Sequence, residues 1–199
     1  MFEKTASTQV PIADPLARRW SGRAFDPERT VEHHKLVALL EAARWSPSCF
    51  GYQPWRFMIW DRVAEPQPWR RAFECLSEGN RAWVGAAPLL MLSCADARFA
   101  DGRQNRWNQY DTGAAAMSLS VEATVLGLMV HQMGGFDAAG IRAAFAIPET
   151  FDCMAMIAVG YQLPEDRIPA ELTEREFAPR ARRELSETFF RGEWGRSFE

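Results

Sequence analysis

Arg19, Ser21 and Arg23 occupy alternate positions in the stretch RRWSGRAFD. In an extended segment, side chains two residues apart point the same way, so two guanidinium forks and a hydroxyl would converge on one spot. Such a convergence makes an anion clamp, because each fork matches the oxygens of a carboxylate or phosphate. The same spacing also suits two surface arginines paired to Asp or Glu, and three residues alone do not separate the two readings. Toward the other end of the chain, PRARRELSE holds Arg180, Arg182 and Arg183, the densest positive cluster in the sequence. A third stretch, PSCFGYQPW from Pro47 to Trp55, carries Cys49, Phe50, Tyr52 and Trp55 where a helix-to-strand connection ordinarily needs little beyond Gly, Asn or Asp.

The remaining reactive side chains are scattered. His33 and His34 fall in the first turn of a predicted helix and His131 lies among apolar residues, so no metal site is expected. Cys49, Cys75, Cys94 and Cys153 form no CxxC pair and have no His at ligand spacing, which suits buried thiols in a reducing compartment. Neither GxGxxG nor GxxxxGK[ST] occurs, so a nicotinamide nucleotide would not be held in a Rossmann fold. A formal charge of −3 argues against nucleic acid or an anionic membrane as partner and makes any anion site local. The opening MFEKTASTQVPIADP has no continuous apolar core, and the apolar run from Val84 to Ala95 is broken by Gly and Pro and falls short of the ~20 residues that span a bilayer. A soluble, cytoplasmic protein is expected.

These groups need elements to position them. With 199 residues, 47% of them hydrophobic, the chain can bury a sizeable core in one domain. TVEHHKLVALLEAARW sets Leu36, Leu39, Leu40 and Ala43 at i, i+3, i+4 and i+7, which predicts an amphipathic helix with Thr30 as N-cap, ending before Ser46-Pro47. WRFMIWDR reads as a buried strand, PWRRAFECLSEGN as a second helix closing on Gly79, and PLLMLSCA as a central strand. Phe99 to Asn108 is irregular. YDTGAAAMSLSVEATVLGL predicts a long helix whose Gly113, Ala114, Ala115, Ala116 and Ser118 let another element approach closely. A short helix with Asp137 as N-cap and Pro148 as its stop precedes a strand ending at Gly160. The tail from Thr173 carries Phe189, Phe190 and Trp194 and is too apolar for a solvated appendage. Helices and strands without strict βαβ alternation suggest an α+β fold.

RWSGRAFD, LLEAARWSPSCFGYQPWRF, GNRAWVGAAP, DTGAAAMSLSVEATVLGL, GGFD and PRARRELSE follow one another as the segments of the nitroreductase family do, and the sequence resembles that family of FMN-dependent NAD(P)H oxidoreductases from about Leu16 to Trp194. The resemblance implies an α+β fold, a three-layer α/β/α sandwich with a mixed sheet, as a single FMN-binding domain over residues 1–199. It further implies a homodimer in which each C-terminal arm, about 173–199, wraps the partner and FMN lies in the subunit interface. NAD(P)H would act as a transient co-substrate, and nitroaromatic, quinone or similar flat acceptors would be reduced in ping-pong fashion, with no side chain acting as nucleophile.

Carried onto this chain, the resemblance puts Arg19, Ser21, Arg180 and Arg182 at the FMN phosphate, with Arg183 able to substitute. Arg23 stabilises the reduced flavin near N1 and the C2 carbonyl, and Asn80 faces the pyrimidine edge, although a helix-terminal Asn after Gly79 fits the spacing equally. Pro47, Ser48 and Cys49 cross the ring edge through mainly backbone contacts. Phe50 and Tyr52 form the substrate pocket, with Gln53 and Trp55 as supports. Met133, Gly134 and Gly135 would act through backbone groups. Three departures accompany the resemblance: Cys49 replaces the commoner Ser, Gly134 stands where several relatives have Glu, and Trp20 replaces Arg, His or Ser, packing on the ribityl chain or the core. A specialised flavin enzyme without efficient NAD(P)H use, and a non-catalytic flavin-binding dimer, are the alternative readings.

Overall fold

The computed structural model describes residues 2–198. Its helices are α1 (Asp14–Arg18), α2 (His33–Arg44), α3 (Pro66–Glu74), α4 (Glu78–Val84), α5 (Asn108–Val125), α6 (Ala138–Phe145), α7 (Ala170–Phe177) and α8 (Leu185–Thr188). Four strands, β1 (Trp55–Asp61), β2 (Leu89–Asp96), β3 (Met129–Met133) and β4 (Phe151–Gly160), form one sheet in the order β1-β2-β4-β3.

The two-residue period of the central strands builds the layers. Leu90, Leu92 and Cys94 of β2, with Met156 and Ala158 of β4, pack on one face against Trp69, Ala72, Trp83, Val84 and Ile141 from α3, α4 and α6. Leu89 and Met91, with Ile157 and Val159, pack on the other against Leu39 and Ala43 of α2 and Ala115, Leu119 and Ala123 of α5. The result is the expected α+β sandwich of three layers. Apart from Ser93 and Asp96 of β2 and Asp152 of β4, both central strands are apolar because both of their faces are covered.

Every ladder among the described residues is antiparallel, which corrects the expected mixed sheet. β4 lies between β2 and β3 and runs against both, so those two strands are parallel to each other without pairing. β3 is an edge strand that the sequence reading missed: His131 and Gln132 interrupt its apolar residues. The predicted second helix breaks in two. Between α3 and α4 the backbone turns aside to pair with a neighbouring segment, Asp137 N–H donating to Cys75 O and Ser77 N–H to Gly135 O. Gly79 consequently opens α4 and closes nothing. Thr30 is not the cap of α2 either. Glu32 occupies that position, and its carboxylate accepts from the Tyr161 hydroxyl at 2.5 Å, so a tertiary contact sets the helix entry. Asp137 caps α6 as expected, its carboxylate accepting from Gly140 N–H.

On α5, the buried alanines allow close approach to the sheet, and Ser118 bonds Ser46 of the α2 exit at 2.7 Å. Tyr110, Gly113 and Met117, at i, i+3 and i+7, form an exposed apolar face on the same helix.

Candidate functional site

The segment after α1 runs extended, and the period-two expectation holds: Arg19 Nη1 lies 3.4 Å from Ser21 Oγ, and Arg23 emerges from the same strand. Between them the chain passes very close to β3. A Cβ at Gly22 would collide with the Met129 sulfur and lie 3.0 Å from the Trp20 ring, so only glycine fits that crossing. The first part of the C-terminal arm docks on this strand within the same chain. Arg180 donates to the carbonyls of Lys4 and Ala17, and Glu176 of α7 accepts from Arg23 N–H at 2.6 Å.

Arg19, Ser21, Arg23, Arg180 and Arg182 thus line one cavity of about 370 Å³. Among the described residues none of the four guanidiniums pairs with a carboxylate, which removes the surface ion-pair reading. Burial lowers the proton affinity of Arg19, and the charges of Arg180 and Arg182 lower it further. Arg180 is lowered in the same way, by burial and then by Arg182. Cations held together against mutual repulsion, with the Arg23 Nε buried and unpartnered, form a site whose natural occupant is an anion. A phosphate monoester of about two negative charges fits this donor set, so the chemistry of the residues suits the phosphate end of FMN.

Beneath the clamp, the Trp83 ring of α4 supports three neighbours: the Arg23 guanidinium at 5.7 Å, the Phe25 ring at 6.2 Å and the His131 ring at 4.6 Å. His131 Nδ1 lies 3.0 Å from Gly22 O and must carry the proton to donate there. Burial first, then Arg23 and Arg19, hold its pKa below the ordinary 6.5 despite that bond. The unfolded chain therefore takes up this proton before the folded one as pH falls, and the stability present above about pH 6.5 is lost on acidification toward the lowered folded value. Urea unfolding at pH 7.5 and 5.5 is expected to show this loss, and His131→Gln to reduce it.

The second group of expected residues also comes together. Asn80 in the first turn of α4 donates to Gly135 O at 2.9 Å, and a Cβ at Gly135 would press within 2.9 Å of the Asn80 amide. Gly134 faces open space, so packing does not forbid the Glu that several relatives have there. Trp20 divides the clamp cavity from a smaller one beside it, with the Lys4 ammonium 4.4 Å over its ring and Phe2 at 5.6 Å, so it packs on the N-terminal segment and not in the core.

The Pro47–Tyr52 loop lies elsewhere. Bonds within the chain hold it in place, Cys49 N–H to Asp111 Oδ2 at 3.0 Å and Gln53 N–H to Ser48 Oγ at 2.9 Å. Phe50 and Gln53 adopt left-handed backbone angles, φ 54° and 52°, a strain that commonly marks functional loops. Phe50 is 94% exposed, while Tyr52 packs edge-on against Phe99 at 5.0 Å. Asp111 sits near the start of α5, where Asn108 reaches Asp152 at the beginning of β4. The clamp joins the other end, through the Phe25–Gln162 bridge beyond Gly160. Eight residue steps along the strand from Asp152 to Gly160 separate the two levels, about 26 Å at ~3.3 Å per step. Within one chain the loop and the clamp do not converge.

The family model described as Nitroreductase family matches residues 16–161, more than half of the chain. The chain belongs to the nitroreductase family. An oxidoreductase containing FMN, solved by crystallography, superposes with a TM-score of 0.88 at 30% identity, covering 98% of each chain. A nitroreductase-like protein from Desulfovibrio desulfuricans, solved in complex with FMN, gives 0.73 at 22% identity over 94% of this chain and 99% of that one. The Major NAD(P)H-flavin oxidoreductase of Aliivibrio fischeri is 30% identical over 82 residues, 41% of this chain and 38% of its own length. Against this nitroreductase pattern, sequence reasoning missed Lys4, Arg175, Glu176 and Asp111 as neighbours of the site. Lys4, Arg175 and Glu176 stand beside other charged residues that read as solvated surface, and Asp111 sits in the first turn of a helix, so no local signal singles them out.

Proposed function

We propose that this nitroreductase family member is an FMN-dependent NAD(P)H oxidoreductase that works as a homodimer and reduces flat aromatic acceptors such as nitroaromatics or quinones. The observation that carries the reading is the cavity where Arg19, Arg180 and Arg182 crowd together and, among the described residues, none of them forms an ion pair with a carboxylate. Their guanidiniums hold the phosphate, Ser21 adds a hydroxyl, and Arg23 directs its charge at the N1 and C2 carbonyl side of the ring. Asn80, together with Met133, Gly134 and Gly135, borders the ring's edge. Bound FMN supplies the hydride-accepting and hydride-donating ring; the protein supplies stacking, orientation and fixed charge.

The separation of loop and clamp supports the dimer. One flavin cannot span about 26 Å of sheet and still be gripped at both levels, so Pro47, Ser48, Cys49, Phe50 and Tyr52 reach it from the partner subunit. The exposed Tyr110, Gly113 and Met117 face of α5, and the C-terminal arm beyond Arg182, where Trp194 is 93% exposed, supply apolar surface for that association. NAD(P)H and the acceptor then use one pocket in turn, which makes the kinetics ping-pong. Four unpaired cysteines among the described residues suit a cytoplasmic setting.

Anaerobic stopped-flow mixing of the yellow, FMN-loaded dimer with NADH or NADPH tests the activity. Rapid bleaching by one of them is expected, and a flavin that neither nucleotide bleaches removes the proposal. Phe50→Ala probes the acceptor pocket. Its side chain is exposed, so stability is expected to change by less than about 0.5 kcal/mol. Loss of one stacking partner, worth about 0.5–1.5 kcal/mol, lowers kcat/KM for aromatic acceptors roughly three- to tenfold in steady-state assays.

A further inference from the structure

Among the described residues Glu176 is the one acid lining a cavity whose other charged residues are Lys4, Arg19, Arg23, Arg175, Arg180 and Arg182, and it is 1% exposed. It projects from α7 to the underside of the clamp strand. One carboxylate oxygen accepts from Arg23 N–H at 2.6 Å. Among the described residues the second oxygen has no hydrogen-bond partner, and it would lie 3.2 Å from a Cβ at Gly22. Arg23 presents the matching orphan, a buried Nε without an acceptor. Lys4 is tied to the Glu176 carbonyl oxygen at 2.7 Å and not to its carboxylate, so the acid is not neutralised by a close ion pair.

A buried carboxylate whose acceptor capacity is only partly used is costly, and an anion site is the least favourable place to keep one unless its position does something. Two consequences follow from where it sits. It joins the two ends of the chain at the level where their guanidiniums converge, and it opposes the field of Arg23 and its neighbours. We infer that Glu176 is a positioning residue for the bound flavin. Its carboxylate fastens the Arg19–Arg23 strand to the C-terminal helix, and its charge offsets part of the positive field that the clamp directs at the cofactor. The inference rests on the FMN reading above.

Two variants separate these effects. E176A removes the fastening and is expected to raise the FMN dissociation constant, read by flavin fluorescence, about tenfold or more. E176Q keeps an acceptor for Arg23 N–H, so its dissociation constant stays within about threefold of wild type. The same variant lacks the negative charge, so the anionic reduced flavin is better stabilised and the midpoint potential, read by dye-coupled reductive titration, moves to a more positive value. Wild-type FMN affinity in folded E176A, or an unmoved potential in E176Q, overturns the inference while leaving the FMN reading intact. Where E176A does not fold, the E176Q potential decides alone. A wild-type protein that takes up no FMN overturns both.

Discussion

Arg19→Ala combined with Arg182→Ala is expected to weaken FMN binding by roughly a hundredfold to ten-thousandfold, leaving a folded protein that elutes colourless from gel filtration. A guanidinium about 4 Å from a phosphate oxygen is worth roughly 4 kcal/mol at an effective dielectric of ~20, before desolvation. Charge-assisted hydrogen bonds retain about 1.5–3 kcal/mol each after it, so two of them give about 3–6 kcal/mol. These two arginines are chosen because the architecture does not depend on them. Arg182 bonds only its neighbour's carbonyl, at Ala181, and Arg19 reaches Ser21, whereas Arg180 fastens the carbonyls of Lys4 and Ala17 and would confound binding with folding. The free protein is expected to gain slightly in stability, because the substitutions relieve the repulsion that lowers the proton affinities of Arg19 and Arg180. Isothermal titration with FMN measures the first effect and thermal unfolding without FMN the second. Binding within tenfold of wild type would mean that the cavity holds something else.

Trp83→Ala is expected to lower stability by about 3–5 kcal/mol, the range for deleting a buried large aromatic side chain. Trp83 is 7% exposed and touches the clamp, β3 and the core at once, so the cavity it leaves has little freedom to collapse. For a chain of this size each kcal/mol moves Tm by roughly 2–4 °C, and a fall of about 10 °C is expected. The variant is also expected to bind FMN less tightly, since the Arg23 guanidinium loses the ring beneath it. Trp83→Phe restores part of both, having a smaller ring at the same place. A loss under 1 kcal/mol in urea unfolding would show that the clamp does not rest on this residue.

The clamp was legible in the sequence because its geometry is local. Alternation at Arg19, Ser21 and Arg23 needs only an extended backbone, and that is what the chain adopts. The two central strands were legible because a strand covered on both faces reads as an unbroken apolar run, and the α6 cap because Asp137 bonds a neighbour three residues along. Residue pattern alone thus determined an α+β chain with alternating arginines near one end, able to clamp an anion or to pair with carboxylates, and an arginine cluster near the other. The tertiary structure decided what depends on partners far apart in sequence. The break after Glu74 arises from backbone bonds to Gly135 and Asp137, and the entry of α2 from Tyr161. β3 is an edge strand with His131 and Gln132 in its middle, and periodicity does not reveal a strand that short and that mixed. The convergence of Arg180 and Arg182 on Arg19, the carboxylate of Glu176 beneath them, and the placing of the Phe50 loop at the opposite end of the sheet all follow from how layers stack. A short sequence window records which contacts a side chain can make. Only the packed chain determines which of them are made, because each such contact must outweigh the entropy of bringing distant segments together.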